Sequence, residues 1–102
     1  MNATVDLVVA GDASPSRAAA IEALRRGQRV LIVLQSADAR MARRLRRSLR
    51  IAGGGGGQLT VATAAEVVCV DGVDGVEAVV VRGRRTGRLW AVNAFRFVPC
   101  GG

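Results

Sequence analysis

The order of apolar runs in the first third of the chain constrains its fold more than any other feature. Residues 5–10 and 30–34 are almost entirely apolar, which is typical of strands buried on both faces of a parallel sheet. Between them, Ser14 as N-cap and Pro15 at the first helical position predict a helix that continues to about Arg26. Strand, helix and strand of these lengths predict a βαβ unit with a right-handed crossover.

The remainder of the chain combines a second helix with short strands. Asp38 is placed to cap a helix over residues 39–51, and the glycine run after that helix predicts a loop. Apolar segments separated by glycine-rich turns then predict strands. These strands cover residues 59–61, 64–70, 76–82, 89–92 and 95–98. We therefore predict an α/β fold, a Rossmann-like βαβ parallel sheet with helices plus an antiparallel three-strand β-meander, as one domain over residues 1–102.

The residue types present exclude several kinds of chemistry. The chain has no His, so His-based triads and His-based metal sites are excluded. Cys69 and Cys100 form no Cys-x-x-Cys pair, and we expect two buried thiols rather than a zinc site or a local redox disulfide. We predict no catalytic and no metal-binding residue.

The formal net charge of +7 comes from fifteen arginines without a lysine. Basic chains of this kind tend to bind anionic partners. Six of the arginines fall between residues 40 and 50, on the second predicted helix, with no aromatic residue among them to stack on bases. We interpret them as the solvated face of that helix, and we do not expect a nucleic-acid partner.

The turn after the first strand is where a dinucleotide-binding βαβ unit has the motif Gly-x-Gly-x-x-Gly. The glycines let the pyrophosphate approach the backbone and the N-terminus of the helix. Here the turn reads Gly11, Asp12, Ala13, Ser14, Pro15 and Ser16. Only the first glycine is present, Ala13 adds a methyl group where a phosphate would lie closest, and the carboxylate of Asp12 repels phosphates.

The end of the second strand is where such a unit recognises the ribose, through an acid for its hydroxyls or basic residues for a 2′-phosphate. This chain has Gln35 and Ser36 there, which can hydrogen-bond a ribose, and Arg40 follows within reach of a 2′-phosphate. The candidate cofactor-binding residues are therefore Gly11, Asp12, Ala13, Ser14, Ser16, Gln35, Ser36 and Arg40.

Four stretches together resemble the nucleotide-binding domains of the pyridine nucleotide-disulfide oxidoreductases, in particular the NADPH domain of thioredoxin reductase. They are VVAGDASPSRAAAIEAL, RVLIVLQS, GVEAVVVRGRRTGRLWAV and FRFVPCGG. The resemblance covers residues 5–102 and implies FAD or NAD(P) as the cofactor of a flavoprotein-type oxidoreductase. Since the chain has neither a redox Cys-x-x-Cys nor a second domain to close over a nicotinamide, we do not expect it to be an enzyme on its own.

Two functions follow from these patterns and stay open. In one, a stand-alone domain binds FAD or NAD(P) as an accessory subunit of a larger oxidoreductase. In the other, a degenerate non-catalytic domain serves protein interaction or forms a homodimer or another homo-oligomer. No apolar segment reaches the ~20 residues that span a bilayer, and no secretory signal opens the sequence. We therefore expect a cytoplasmic protein with no membrane partner.

Overall fold

The structure, a computed structural model, describes residues 3–73 and 75–99. Strands and helices alternate in its first half, and strands alone make up its second half. The elements are β1 (Ala3–Ala10), α1 (Ser14–Arg25), β2 (Arg29–Val33), α2 (Ala39–Ala52), β3 (Gln58–Ala62), β4 (Ala65–Asp71), β5 (Ala78–Gly83) and β6 (Leu89–Val98). The α/β fold predicted from the sequence, Rossmann-like with an added meander, is confirmed.

The strands belong to one sheet, in the order β3-β2-β1-β6-β5-β4. The first three strands are parallel to one another, with Leu31 of β2 opposite Val8 of β1 on one side and Thr60 of β3 on the other. The prediction that residues 59–61 belong with the later short strands is wrong. Instead they run parallel to β2, because α2 returns the chain across the sheet between β2 and β3 just as α1 does between β1 and β2.

The last strand, β6, joins the parallel and antiparallel halves of the sheet. Its residues up to Asn93 pair antiparallel with β5, while its residues from Val92 onward pair in parallel with β1. The prediction of separate strands at residues 89–92 and 95–98 was therefore wrong. A single continuous strand satisfies two different neighbours, so no turn is needed between the two apolar segments.

Two hydrophobic cores cover the two faces of the parallel strands. On one face, Leu7 of β1 packs in a cluster with Leu24 of α1 and Leu49 of α2. On the other face, Val8 of β1 packs in a cluster with Val81 of β5. The antiparallel half of the sheet thus covers the face that the helices leave open, which explains why successive residues are apolar over positions 7–10 of β1 and 30–33 of β2.

The two helices begin differently. Ala13, with φ −64° and ψ 163°, is the N-cap of α1, and Ser14 is its first helical residue. The prediction of Ser14 as the N-cap was wrong because the helical hydrogen bonds begin one residue earlier, where the Arg17 N–H donates to the Ala13 carbonyl at 2.9 Å. Asp38 is confirmed as the N-cap of α2, since its carboxylate accepts the N–H groups two and three residues further on. Neither described helix is long and apolar enough to cross a membrane.

The glycine run after α2 is packed against the end of α1. Gly57 has a φ of 71°, and a Cβ atom at this position would lie 2.4 Å from the carbonyl oxygen of Gln28. The same carbonyl accepts the N–H of Gln58 at 3.1 Å, which starts β3 beside β2. Glycine at position 57 is therefore needed for the loop to pass this close to the chain before β2.

Candidate functional site

A cleft of about 380 Å³ lies at the carboxyl ends of β1 and β2. Its floor is formed by the residues that end these strands and follow them, its side by Met41 of α2, and its opposite wall by residues 65–67 at the start of β4. In open α/β sheets, ligands bind at this edge, outside the carboxyl ends of the strands. The cleft is therefore the candidate functional site.

The structure brings four of the eight predicted site residues together in the lining of this cleft. They are Gly11, Asp12, Gln35 and Ser36. Ala13, Ser14, Ser16 and Arg40 do not belong to the lining. The lining also includes residues of β4 that the local sequence patterns did not indicate, above all Glu66, the acidic residue of that wall.

Gly11 connects the two strand ends at the floor of the cleft. Its φ is 83°, a left-handed backbone conformation that glycine adopts without strain. Its N–H donates to the carbonyl of Val33 at 2.9 Å, which holds the turn against the last residue of β2. Asp12, the next residue, is exposed at the rim of the cleft. The first glycine of the expected motif thus has the conformation that the motif requires.

The N-terminus of α1 follows this turn, and no side chain among the described residues caps it. Ala13 supplies no hydrogen-bond acceptor, and the first turn contains no acidic residue. The first backbone N–H groups of a helix have no partner inside the helix and carry the positive end of its dipole. This end of α1 therefore offers N–H donors and partial positive charge to an anion.

Ser16 faces the protein interior instead of the cleft. Its side chain is 1% exposed, and its hydroxyl donates to the carbonyl oxygen of Ala10 at 3.2 Å. The family motif has a glycine here so that the helix can pack closely on the strand. In this chain a serine fills the same space and ties the helix to the end of β1.

Hydrogen bonds fasten the start of β4 to the end of β2. The N–H of Ala65 donates to the carbonyl of Leu34 at 2.9 Å, and the N–H of Ala64 donates to the carbonyl of Ser36 at 2.8 Å. The guanidinium of Arg84 donates to the Gln35 carbonyl at 3.4 Å. Ala64 has a φ of 48°, which is unusual for a residue with a side chain. The chain thus makes a fixed, sharp turn into the wall of the cleft.

Glu66 contributes an ion-paired carboxylate to this wall. Arg82 of the neighbouring strand β5 donates its Nε–H to Oε1 of Glu66 at 2.9 Å, and its Nη2 group also contacts Oε1. The Glu66 side chain is 27% exposed. Among the described residues that line the cleft, Glu66 and Asp12 are the charged ones, and none is basic. The side chains that line the cleft therefore include carboxylates and no guanidinium, while Arg82 and Arg84 contact the lining from outside it.

Arg40 lies on the outer face of α2. With Arg43, Arg44 and Arg47 it surrounds an open groove of about 430 Å³, which is separate from the cleft. Within residues 3–73 and 75–99, none of these four guanidinium groups forms a salt bridge. Arg40 is therefore exposed on α2 and outside the cleft lining, and the interpretation of these arginines as a solvated face stays a prediction.

Cys69 is exposed on β4, so the prediction that its thiol is buried was wrong. After Glu66 the strand runs along the open edge of the sheet, where the outer side of β4 has no neighbour to cover it among the strands that the structure describes. The Cys69 thiol donates to the carboxylate of Asp71 at 3.4 Å. This hydrogen bond and the negative charge of Asp71 raise the pKa of the Cys69 thiol.

Cys100 lies outside the described residues. No metal-binding group of three or more His, Cys, Asp or Glu occurs in the part of the chain that the structure describes.

Comparison with known proteins gives matches at the level of structure. No protein-family model and no curated protein sequence matches this chain. A thioredoxin reductase from Streptococcus pyogenes aligns over 99% of this chain with a TM-score of 0.72 and 18% identity, and one from Giardia duodenalis aligns over 99% with a TM-score of 0.71 and 15% identity. A myxobacterial FAD-dependent halogenase of chondrochloren aligns over 98% with a TM-score of 0.71 and 15% identity.

These similarities establish a shared fold. The alignments cover 32% of each reductase and 38% of the halogenase, so the chain spans about a third of the length of these proteins. The resemblance to a FAD/NAD(P)-binding domain of the thioredoxin reductase type, inferred from the sequence, is confirmed for the architecture.

Proposed function

We propose that the cleft holds the adenosine end of a dinucleotide, FAD or NAD(P), and that the chain is a nucleotide-binding domain related to the flavoprotein oxidoreductases. One observation carries the proposal: the cleft lies where β1 and β2 end, and its lining residue Asp12 immediately precedes the N-cap of α1, which has no side-chain cap. A helix end of this kind binds pyrophosphate through backbone N–H groups and its dipole.

The residues present fit such a ligand at three points. Gly11 gives the tight turn, the N–H groups that begin α1 are the donors for the pyrophosphate, and Gln35 and Ser36 are exposed beside the cleft as hydrogen-bond partners for a ribose. The methyl group of Ala13 keeps a phosphate further from the backbone than a glycine would, but the backbone N–H donors remain. We therefore expect weaker binding than a site with all three glycines would give.

The chain contributes binding and orientation, while hydride transfer requires a second protein or domain. When bound, FAD or NAD(P) would supply the redox chemistry itself. The sequence contains no Cys-x-x-Cys and no His, so this chain offers no redox pair and no His proton carrier. We propose that it acts as an accessory subunit of an FAD/NAD(P)-dependent oxidoreductase and that the partner covers the reactive end of the cofactor.

A direct binding measurement tests this function. Protein purified without added ligand is examined for flavin absorbance and then titrated calorimetrically with FAD, NADH and NADPH. We expect binding of at least one dinucleotide at micromolar to millimolar concentration. The Ala13→Leu variant should abolish binding because a larger side chain covers the N-terminus of α1, whereas Ala18→Leu, at an exposed position of the same helix, should not. Absence of binding by any dinucleotide at millimolar concentration would overturn the proposal.

A second candidate function is supported by the open edge of the sheet. β4 is an edge strand, and Val68 and Val70 on it are 43% and 39% exposed. Exposed apolar edge strands tend to pair with another chain, so a homodimer formed through β4 is the alternative. Light scattering of Val68→Lys should then show loss of dimer, while Thr60→Lys on the opposite edge strand β3 should have no effect. A monomeric wild-type protein at micromolar concentration would contradict this alternative.

A further inference from the structure

We propose that Glu66 is the residue that accepts hydrogen bonds from the adenosine ribose, so that the cleft takes dinucleotides with a free 2′-hydroxyl and rejects those with a 2′-phosphate. This inference rests on the proposed dinucleotide function. It names FAD or NAD(H), as opposed to NADP(H), as the ligand class. The end of β2, where a ribose-binding acid is usual, has Gln35 and Ser36 in this chain.

The fold brings Glu66 to the same place from a distant part of the sequence. The hydrogen bonds from Ala64 to Ser36 and from Ala65 to Leu34 fix the start of β4 beside the end of β2. Glu66 is the next residue along β4, and it lines the cleft together with Gln35 and Ser36. A carboxylate is therefore present next to the position where an acid is usual, although it comes from a strand about thirty residues later.

The contacts of this carboxylate leave it able to bind a ligand. Both hydrogen bonds from Arg82 go to Oε1. The second oxygen, Oε2, accepts no hydrogen bond from the residues that the structure describes, and the side chain is partly exposed. Arg82 thus holds the carboxylate in position, and the lone pairs of Oε2 are available to the hydroxyl groups of a ribose.

The charges around the cleft select against a 2′-phosphate. Glu66 and Asp12 make the described lining negative, and no arginine belongs to it. The guanidinium of Arg82 is already paired with Glu66, that of Arg84 donates to the Gln35 carbonyl, and Arg40 lies in the separate groove on α2. A 2′-phosphate placed beside Glu66 would face a like charge, and the two nearest guanidinium groups already have hydrogen-bond partners. A 2′-hydroxyl in the same position would gain a charge-assisted hydrogen bond.

The test uses two ligands that differ only in the 2′-phosphate: ADP-ribose and 2′-phospho-ADP-ribose. Calorimetric titration of the wild-type protein should give at least about tenfold tighter binding of ADP-ribose. Glu66→Gln should weaken ADP-ribose binding by about tenfold and strengthen binding of the phosphorylated ligand, because the hydroxyl acceptor becomes neutral. Glu22→Gln is the matched control: it also removes a carboxylate paired with an arginine, but on the exposed face of α1.

Each result has a separate meaning. A wild-type protein that binds both ligands equally would overturn the selectivity and leave the dinucleotide function intact. A preference for ADP-ribose that survives unchanged in Glu66→Gln would overturn the role of Glu66. No binding of either ligand at millimolar concentration would overturn the proposed function and this inference together. The wild-type comparison needs no substitution, so it remains decisive even if Glu66→Gln is poorly folded.

Discussion

The hydroxyl of Ser16 donates a hydrogen bond of 3.2 Å to the carbonyl oxygen of Ala10, and the contact joins the first turn of α1 to the last residue of β1. Both groups lie at the point where a dinucleotide-binding turn normally has a glycine for close helix packing. The serine is buried, so α1 packs on β1 with a serine at this position of the glycine motif, and the serine hydroxyl has a hydrogen-bond partner.

The Ser16 contact leads to a stability prediction. Ser16→Ala should lower the free energy of unfolding by about 1 kcal/mol, because the Ala10 carbonyl loses a partly buried hydrogen bond at the end of β1. Urea unfolding measures the difference. Ser14→Ala, at an exposed neighbouring position, should change stability by less than about 0.5 kcal/mol. Equal effects of the two substitutions would show that the buried hydrogen bond contributes nothing.

The missing cap of α1 can be supplied by a single substitution. Ala13 has the extended conformation of an N-cap without a side-chain acceptor, so Ala13→Ser should raise the free energy of unfolding by about 1 kcal/mol. Asp38 already caps α2, and Asp38→Ala should lower it by a similar amount. Thermal unfolding of both variants compares the two helix ends. A destabilised Ala13→Ser protein would contradict the cap geometry of Ala13.

The arginine face of α2 should be electrostatically unfavourable near its N-terminus. Arg40 is in the first turn, beside Arg43 and Arg44. Arg40→Glu should therefore stabilise the protein by about 1 kcal/mol through the helix dipole and new ion pairs. Arg50→Glu, the same charge change in the last turn, should destabilise it. Chemical unfolding at low salt measures both effects, and both should shrink in about 1 M salt, where the Debye length is about 3 Å. If both substitutions stabilised the protein equally, the lower net charge would explain the effect and the helix dipole would not.

The pH dependence of stability should contain a contribution from Asp6. The Asp6 carboxylate accepts the backbone N–H of Arg29 at 2.7 Å, and this bond lowers the pKa of Asp6 below its ordinary value of 3.8. A carboxyl group with a lower pKa in the folded state stabilises it at pH values above 3.8, and this stabilisation is lost as pH falls through the folded pKa. Wild type should therefore be more stable than Asp6→Asn at neutral pH, and the difference should decrease on acidification below pH 3.8.

A control separates the causes of this shift. Arg29→Ala removes the guanidinium but keeps the backbone N–H, which is the largest cause of the lowered pKa of Asp6. The effect of Asp6→Asn is then measured in the Arg29→Ala background, as unfolding free energies across the acid range. We expect most of the pH-dependent effect of Asp6→Asn to remain. Its complete loss in that background would assign the effect to the ion pair instead.

Local sequence patterns were sufficient for the first βαβ unit and for the start of α2. The apolar runs predicted β1 and β2, Asp38 correctly marked the start of α2, and the conformation of Gly11 follows from the turn that has to end β1. These features depend on residues within one or two turns of each other, where hydrogen bonding and steric preference act directly. The same reasoning placed the candidate site at the edge of the sheet where the cleft lies, because parallel strands meet at their carboxyl ends.

The tertiary structure decided what the cleft contains. Glu66 lines the cleft because β4 is hydrogen-bonded to the end of β2. Ser16 does not line it, since its buried hydroxyl donates to the Ala10 carbonyl. Arg40 lies outside the cleft, beside the separate groove on α2. The exposure of Cys69 likewise depends on which strand forms the edge of the sheet. These outcomes depend on pairings between residues far apart in sequence, which local propensity does not encode. The sequence alone determined the outline of the first βαβ unit, whereas the pairing of distant strands placed Glu66 in the wall of the cleft.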